Sequence, residues 1–232
     1  MEKIGIIAAM PEEMAEIKKI MIDISEISFF EKQFIVGKIH DKECVLALCG
    51  IGKVNAARTT QILIDKFDCK KIINVGSAGA LSEGQNIGDI IISTAAVQSD
   101  FDITAFGREK GFITGVGKYI EADKYLIDVF YEAIKSMSEN IEVRKGIVAT
   151  ADMFVSSAER KIKIGKEFNA LCCEMEGAAM AQVCYLCNVP FVILRSVSDD
   201  LYSKAEIDFE KFLKVASVKC AGVLSSALKI LN

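Results

Sequence analysis

The strongest constraint on the fold is the segment 171–200, in which two short apolar stretches flank one of helical composition. Residues 171–173 suit a buried strand, and residues 177–188 are rich in alanine and other apolar side chains, which favours a buried helix. Residues 191–194 are apolar throughout, as in a strand that is covered on both faces. The segment therefore predicts a strand–helix–strand unit of an α/β protein.

Acidic residues follow both strands of this unit. Glu174 and Glu176 come directly after the first strand, and Asp199 follows the second, whose far end also carries Arg195 and Ser198. In open α/β sheets, ligands bind outside the carboxyl ends of the strands. We therefore expect these side chains to meet at one rim of the sheet and to form the functional site there.

The composition is that of one large α/β domain, which we expect to span residues 1–232. Hydrophobic residues make up 51% of the chain, and neither a composition break nor a proline-rich or glycine-rich stretch marks a linker. The net charge is −4 and the basic residues are scattered, so neither nucleic acid nor an anionic membrane is an expected partner. A small molecule is expected instead.

The N-terminal apolar run, residues 4–10, is too short to cross a membrane and lacks the flanks of a signal peptide. The expected location is therefore the cytoplasm. Eight cysteines include a Cys184/Cys187 pair with CxxC spacing, but His40 is the only histidine and no second CxxC exists. We expect reduced, buried thiols, and neither a metal ion nor an organic cofactor.

The first strand is predicted at residues 3–9, and Pro11, Glu12 and Glu13 follow it. These acids suit the first turn of a helix, where they complement the helix dipole. A carboxylate at this position would equally join the rim. Sequence alone leaves both interpretations open.

A further strand at residues 71–75 ends in four small residues, 76–79, whose glycines suit either a turn or a backbone that approaches a ligand closely. Residues 100–112 place aromatic side chains among polar ones, which is typical of an interface or a lid. The other predicted elements are a hairpin of strands at 33–39 and 44–48, a helix reaching about residue 66, strands at 89–97 and 143–149, a helix at 123–137, a helix capped by Ser157, and an amphipathic closing helix that carries Phe209 near its start.

Seven motifs, in this order, resemble those of the 5′-methylthioadenosine/S-adenosylhomocysteine nucleosidases of the nucleoside phosphorylase superfamily. They are IGIIAAMPEEM, CGIGKVNAA, NVGSAGAL, DITAFG, TADMFV, CCEMEGAA and ILRSVSD, and together they span nearly the whole chain. The resemblance implies a single-domain, three-layer phosphorylase/hydrolase-like α/β fold, with a mixed, partly barrel-like central sheet flanked by helices. It also implies a homodimer.

The reaction that the resemblance implies is hydrolysis of the bond between adenine and ribose in methylthioadenosine and S-adenosylhomocysteine, and also in 5′-deoxyadenosine. The products are adenine and the 5′-substituted ribose, in methionine salvage and removal of the methyl-cycle product. Cleavage of an N-glycosidic bond passes through a ribosyl oxocarbenium ion. The site must therefore protonate the purine, position a water molecule and hold the ribose hydroxyls, all of which carboxyl groups can do.

The resemblance assigns one task to each of three acids. Asp199 matches the general acid that protonates adenine N7, with Ser198 orienting its carboxyl group. Glu13 matches the base that activates water. Glu176 matches the carboxylate that holds the ribose diol, with Met175 beside it.

The remaining matches concern contacts to the substrate. Ser77 and Arg195 would complete the polar side around the water, and Phe154 and Val155 would sandwich the adenine and read its edge. Met10, Ile51 and Phe209 would form the apolar wall of the 5′-thio group, and Ala9 is a further substrate contact. Ile103 and Phe106 match a loop that reaches into the partner subunit's site. Judged from the residues alone, the apolar members of this set suit an ordinary core equally well.

Two other activities and one non-catalytic role fit parts of the pattern. A purine nucleoside phosphorylase shares the acidic motifs but needs cations for phosphate, where this chain has Asn74 and the acidic run at 11–13. A futalosine-type nucleoside hydrolase would differ only in its 5′ pocket. A non-catalytic nucleoside-binding protein would have no need of Glu13, Glu176 and Asp199.

Overall fold

A computed structural model describes residues 2–138, 141–202 and 205–232, and the ten strands found there belong to one mixed sheet. The strands are β1 (Lys3–Ala8), β2 (Ile22–Phe29), β3 (Lys32–Ile39), β4 (Lys42–Leu48), β5 (Cys69–Ala80), β6 (Ile90–Gln98), β7 (Ile120–Glu121), β8 (Val143–Thr150), β9 (Ala170–Glu174) and β10 (Phe191–Asp199).

The described residues also contain six α-helices. They are α1 (Pro11–Lys19), α2 (Lys53–Asp65), α3 (Lys124–Lys135), α4 (Ala158–Phe168), α5 (Gly177–Cys187) and α6 (Ala205–Ile230). Local sequence explains their ends. The Asp123 side chain accepts the N–H of Leu126 at the start of α3, and Ser157 caps α4 through Arg160, as predicted. None of these helices has the length and apolarity needed to cross a membrane.

Consecutive residues in the central strands are buried on opposite faces of the sheet. Ile6, Ile73 and Ile90 contribute to a core beneath α1, α3 and α6, whereas their neighbours Ile7 and Ile72 face a second core beneath α2 and α5. Burial on both faces explains why these strands are apolar runs rather than alternating patterns. The predicted three-layer fold, with helices on both sides of the sheet, is confirmed.

Five strands close into a barrel-like ring in the order β10, β6, β8, β9 and β5, because β5 also pairs with β10. The remaining path runs from β5 through β1 and β4 to the β3–β2 hairpin at the edge. The predicted mixed, partly barrel-like sheet is therefore confirmed. The edge strand β2 was not predicted, since most of its residues are exposed and lack a strand's usual apolar signal.

The ring brings strand ends together in a way that differs from the sequence argument. The sequence predicts the strands now identified as β9 and β10 as parallel members of one strand–helix–strand unit. In the structure they are not neighbours, and β5 pairs parallel with β10 but antiparallel with β9. Gly79 pairs with both Cys173 and Asp199, so closure of the barrel, rather than a parallel order, joins the two acidic strand ends.

Candidate active site

A cavity of about 330 Å³ opens where the ends of β1, β5, β9 and β10 meet. This volume lies at the lower end of the range of small-molecule sites, roughly 300–1,000 Å³. Eleven of the residues predicted from sequence line it, namely Ala9, Met10, Glu13, Ile51, Ser77, Phe154, Met175, Glu176, Ser198, Asp199 and Phe209.

Four predicted residues do not line this cavity. Arg195 lies behind it, fully buried, and Val155 lines a narrow adjoining space of about 30 Å³ beside Asp199. Ile103 and Phe106 belong to the segment around a short 3₁₀ helix, and the Phe106 side chain is 83% exposed. Within one chain, this segment therefore contributes nothing to the lining of the cavity.

Glu13 is buried at the third position of α1, and four donors hold its carboxylate. Oε2 accepts the backbone N–H groups of Ala9 at 3.0 Å and Met10 at 3.1 Å. Oε1 accepts the backbone N–H of Ser77 at 3.0 Å and its hydroxyl at 3.2 Å. Glu13 thus caps its own helix and faces the cavity at once, so the two interpretations of its sequence position are compatible.

Arg195 and Glu174 form a buried ion pair at the back of the cavity. Arg195 also donates to Asn74 Oδ1 at 2.5 Å. Burial alone would lower the pKa of the Arg195 guanidinium, but three nearby carboxylates, first that of Glu174, outweigh burial and raise it. The guanidinium stays charged and serves as the counter-ion of this carboxylate group.

Glu174 also shapes the turn that leads into α5. Its Oε2 accepts the backbone N–H groups of Glu176 at 3.0 Å and Gly177 at 2.7 Å, and its Oε1 bonds the Thr150 hydroxyl. Glu174 therefore supports this turn through its hydrogen bonds. They fix the backbone from which Glu176 projects.

Glu176 is 5% exposed, and its Oε1 accepts the N–H of Gly52 at 2.8 Å, at the start of α2. Burial raises the pKa of the Glu176 carboxyl to about 7, and the negative charge of Glu174 adds to the rise. The positive charge of Arg195 and the hydrogen bond from Gly52 lower this pKa, but they do not cancel the rise. Near neutral pH this carboxyl can therefore both accept and donate hydrogen bonds.

Asp199 ends β10 with both carboxyl oxygens held. Oδ1 accepts the Ser198 hydroxyl at 2.9 Å, which matches the orienting role predicted for that serine. Oδ2 lies 2.5 Å from Nζ of Lys161, a lysine of α4 with no exposed surface. Sequence reasoning missed Lys161.

Two glycines of β5 allow these charged groups to approach the strand. A Cβ atom on Gly76 would lie 2.2 Å from Arg195 Nη1 and 2.8 Å from Glu13 Oε1, and one on Gly79 would lie 2.8 Å from Asp199 Oδ2. Neither glycine has a positive φ, and β5 continues through both of them. Of the two interpretations of residues 76–79, the turn is therefore wrong, and these glycines allow the close approach of charged side chains of the protein.

The opposite walls of the cavity are apolar. The Phe154 and Phe209 rings meet edge to face, with centroids 5.7 Å apart. Ala9, Met10 and Ile51 also border an adjoining open groove of about 540 Å³, lined in part by Lys32 and Gln33. The cavity is therefore continuous with this groove on the side of Met10 and Ile51.

Cys173 also lines the cavity, although sequence reasoning did not assign it to the site. Burial raises the pKa of its thiol to about 12, and the Asp199 charge contributes, so the thiol is neutral at physiological pH. All eight cysteines are free thiols. Among the described residues, no group of three or more His, Cys, Asp or Glu side chains is arranged to hold a metal ion.

The cavity walls formed by described residues include four carboxylates but neither Lys nor Arg. Two cations are buried among the described residues, Arg195 and Lys161; they lie behind the walls and are paired with Glu174 and Asp199. Such a site suits a substrate with hydroxyl and basic nitrogen groups, and it disfavours an anion.

Several known proteins are similar to this chain in sequence and in fold. The phosphorylase superfamily model matches residues 3–229. The 5′-methylthioadenosine/S-adenosylhomocysteine nucleosidase of Staphylococcus aureus (strain bovine RF122 / ET3-1) is 44% identical over 216 residues, or 93% of this chain and 94% of that protein. The Neisseria meningitidis nucleosidase, solved with methylthio-immucillin-A, has a TM-score of 0.95 and 37% identity over 100% of both chains. Futalosine hydrolase of Helicobacter pylori strain 26695 has a TM-score of 0.94 and 35% identity, over 99% of this chain and 98% of that one.

Proposed function

The chain belongs to the phosphorylase superfamily and, within it, to the 5′-methylthioadenosine/S-adenosylhomocysteine nucleosidases, and from this membership and the cavity's chemistry we infer its reaction. It is an N-glycosyl hydrolase that converts methylthioadenosine and S-adenosylhomocysteine to adenine and the 5′-substituted ribose. The observation that carries this conclusion is a cavity with three separately held carboxyl groups, those of Glu13, Glu176 and Asp199. We extend the same activity to 5′-deoxyadenosine, in methionine salvage and removal of the methyl-cycle product.

Asp199 is the general acid in this proposal. It lines the cavity together with Phe154, and Val155 lies in the narrow space beside both, so the purine is placed in the cavity against these residues. In the protonated form it donates to adenine N7 as the glycosidic bond breaks, so that adenine leaves as a neutral molecule. Ser198 holds one oxygen of the resulting carboxylate.

Glu13 activates the attacking water. Its carboxylate is fixed by three backbone N–H groups, while the Ser77 hydroxyl makes the longest of its contacts, at 3.2 Å. Because a hydroxyl can rotate, a water molecule can take that acceptor position and be oriented by Ser77 as well. The water proton then passes to Glu13 as its oxygen bonds the anomeric carbon.

Glu176 holds the ribose hydroxyls. One of its oxygens accepts the Gly52 N–H, and the other has no backbone or side-chain donor among the described contacts, so it is available to a diol. In the ionised state it also stabilises the positive charge of the oxocarbenium ion. Met175 lies beside it in the wall, and Met10, Ile51 and Phe209 enclose the 5′ end in an apolar surface.

Hydrolysis is favoured over phosphorolysis by the charge of the site. A phosphorylase must bind a dianion next to the ribose, and free cationic donors normally supply that binding. Here both buried cations are already paired with carboxylates, and four carboxylates line the space. The carboxylates would repel phosphate, whereas a water molecule is neutral and can be activated by Glu13.

A futalosine-type hydrolase is the second candidate, because the Helicobacter pylori futalosine hydrolase has nearly the same fold at 35% identity. The catalytic groups would be the same for either substrate. The open groove beyond Met10 and Ile51 leaves room for 5′ substituents larger than a methylthio group. The identity of 44% to a methylthioadenosine/S-adenosylhomocysteine nucleosidase favours the first assignment.

We propose that the working form is a homodimer in which Ile103 and Phe106 of one subunit complete the 5′ pocket of the other. In support, Phe106 is 83% exposed although it is a large apolar side chain, and neither residue lines the cavity of its own chain. We further propose a cytoplasmic location, which suits eight unpaired cysteines.

The assignment is tested by measuring release of the free purine base from methylthioadenosine, S-adenosylhomocysteine, 5′-deoxyadenosine and futalosine, each with and without phosphate. We expect phosphate-independent release of the base and a free reducing sugar, with futalosine the poorest substrate. Asp199→Asn and Glu13→Gln should each lower kcat by about 10²–10⁴-fold, since each removes one proton-transfer step. Formation of a ribose 1-phosphate would overturn the hydrolase assignment, and a variant with wild-type turnover would overturn the role of the residue it replaces.

A further inference from the structure

Helix α4 buries a lysine on the stripe that normally holds apolar side chains. Lys161, Ile164 and Phe168 share one face of the helix, and Lys161 is as fully buried as Phe168. A buried ammonium group is costly unless it is paired and hydrogen-bonded. Lys161 must therefore be held by a specific partner.

That partner is the proposed general acid. Nζ of Lys161 lies 2.5 Å from Asp199 Oδ2 and 2.5 Å from the backbone carbonyl oxygen of Asp200. Both groups of the ion pair are almost completely buried, with 0% and 3% side-chain exposure. The lysine thus connects α4 to the end of β10.

Lys161 is not among the residues that line the cavity or its narrow extension. It therefore reaches the substrate only through Asp199. Removal of Asp199 would leave an unpaired charge in the core, whereas removal of Lys161 would leave the acid with Ser198 as its side-chain partner.

We propose that Lys161 is the positioning residue of the general acid, and this rests on the proposed function of Asp199. Its ammonium fixes the orientation of the carboxyl group and stabilises the negative charge that develops as Asp199 loses its proton. In that step the Asp199 O–H bond breaks, the N7–H bond of adenine forms, and the electron pair remains on the carboxylate. Lys161 keeps its own protons throughout.

The other groups near Asp199 do not supply a countercharge. Cys173 on β9 carries a neutral thiol, Ser198 is uncharged, and β5 presents only Ala78 and Gly79 at this point. Glu174, also on β9, is paired with Arg195. The Asp200 carboxylate accepts the N–H of Tyr202 at 2.8 Å and is itself negative. Within the described part of the chain, Lys161 is the only cation paired with Asp199.

Removing this charge should slow the proton-transfer step more than it weakens substrate binding. Without the ammonium, the Asp199 carboxyl group loses the donor that orients it and the countercharge for the carboxylate that forms as the proton leaves. Because Lys161 does not line the cavity, the contacts that bind the substrate are kept. Lys161→Arg keeps the positive charge at this position and should preserve part of the effect.

The test compares kcat and KM for methylthioadenosine hydrolysis by wild type, Lys161→Met, Lys161→Gln and the charge-retaining Lys161→Arg. Both neutral variants should lower kcat by about 10–100-fold, with KM changed less than kcat, and Lys161→Arg should lose less activity than either. Lys163→Met is the matched control, since Lys163 is exposed on the same helix, and it should behave as wild type.

Position 161 should also be tested in the Asp199→Asn background. There, Lys161→Met should cause no further loss of activity and should raise the Tm, because it removes an unpaired buried charge. A wild-type kcat in the folded neutral variants, or a change in KM as large as the change in kcat, overturns the proposal, with Lys161→Gln deciding if Lys161→Met does not fold. So does a further tenfold loss in the Asp199→Asn background. If wild type releases no adenine, the proposed function itself fails, which is a distinct result.

Discussion

The four carboxylates of the cavity differ in the groups that surround them. Glu13 is held by backbone N–H groups, and Glu174 and Asp199 each have a buried cation. Glu176 has one backbone donor and, as its near neighbour, the charge of Glu174. These environments assign different chemistry to side chains of the same type.

Burial of the Glu176 carboxyl group in the site should make the stability of the protein depend on pH. The folded state raises the pKa of this carboxyl from 4.5 to about 7, so the folded chain binds the proton more tightly than the unfolded chain. Stability from this group is therefore lost as the pH rises from 4.5 through 7. Glu176→Gln keeps the acceptor for Gly52 but removes the titration.

We expect Glu176→Gln to be more stable than wild type, with the difference in unfolding free energy about 2 kcal/mol larger at pH 8 than at pH 5. Urea unfolding followed by circular dichroism measures this, since the chain has no tryptophan. The exposed substitution Glu12→Gln, on the same helix as Glu13, is the control and should show no such trend. A stability difference that does not vary with pH would contradict the shifted titration.

Single residues also mark one limit of sequence reasoning. The acids could be found because they follow apolar runs. Lys161 could not be interpreted in this way, because its significance depends on a partner 38 residues away. A lysine in the apolar stripe of a helix is the only local signal, and it does not reveal whether the charge is paired.

Among the structural elements, the interiors of the strands could be predicted and some of their ends could not. The runs before Gly76 and Arg195 are apolar, but the strands continue through small and polar residues. There they pair with each other, Arg195 with Gly76 and Ser196 with Ser77. Pairing between distant segments stabilises these extensions, so no local sequence pattern predicts them.

Helix α4 provides a test of how tightly an element near the site is fixed. A Cβ atom on Gly165 would lie 2.6 Å from the carbonyl oxygen of Leu81, whereas one on Gly222 of α6 would meet only Met137 Cε, at 3.9 Å. In a helix interior, replacing Gly with Ala stabilises by roughly 0.5–1 kcal/mol where there is room. The two glycines should therefore respond in opposite directions.

We expect Gly222→Ala to stabilise the protein by roughly 0.5–1 kcal/mol and Gly165→Ala to destabilise it by about 1–3 kcal/mol, because α4 must move away from Leu81. Gly165→Ala should also lower kcat, since α4 carries Lys161. Thermal unfolding and methylthioadenosine turnover measure both effects. Equal stabilisation by the two substitutions would mean that α4 is not held against Leu81 as the structure has it.

For the molecule as a whole, sequence predicted the fold family but not the route by which its site assembles. The acids come from α1, from the end of β9 and from the end of β10. Closure of the ring through β5 brings them together. Ring closure depends on pairings between segments about 100 residues apart, such as Val197 with Ala78. Strand propensities do not specify such pairings, whereas the ordered motifs of the family imply them.

The proposed dimer predicts that Phe106 of one subunit affects substrate binding in the other. If Phe106 serves the neighbouring site, Phe106→Ser should raise KM for methylthioadenosine by about 10-fold or more through lost apolar contact. Phe30→Ser is the control, since Phe30 is 64% exposed on the hairpin turn, and it should leave KM unchanged. Sedimentation velocity should show a wild-type dimer.

Mixed dimers decide whether the contact is made between subunits. In a dimer of one Asp199→Asn chain and one Phe106→Ser chain, the second chain keeps its acid and receives an intact Phe106 from the first. Random pairing of equal amounts then restores about one quarter of the sites. An equal mixture of Asp199→Asn and Glu13→Gln chains has no intact site in any pairing, because both residues act within their own subunit. Recovery in the first mixture but not in the second would place Phe106 across the interface; no recovery in either, or a monomeric wild type, would exclude that arrangement.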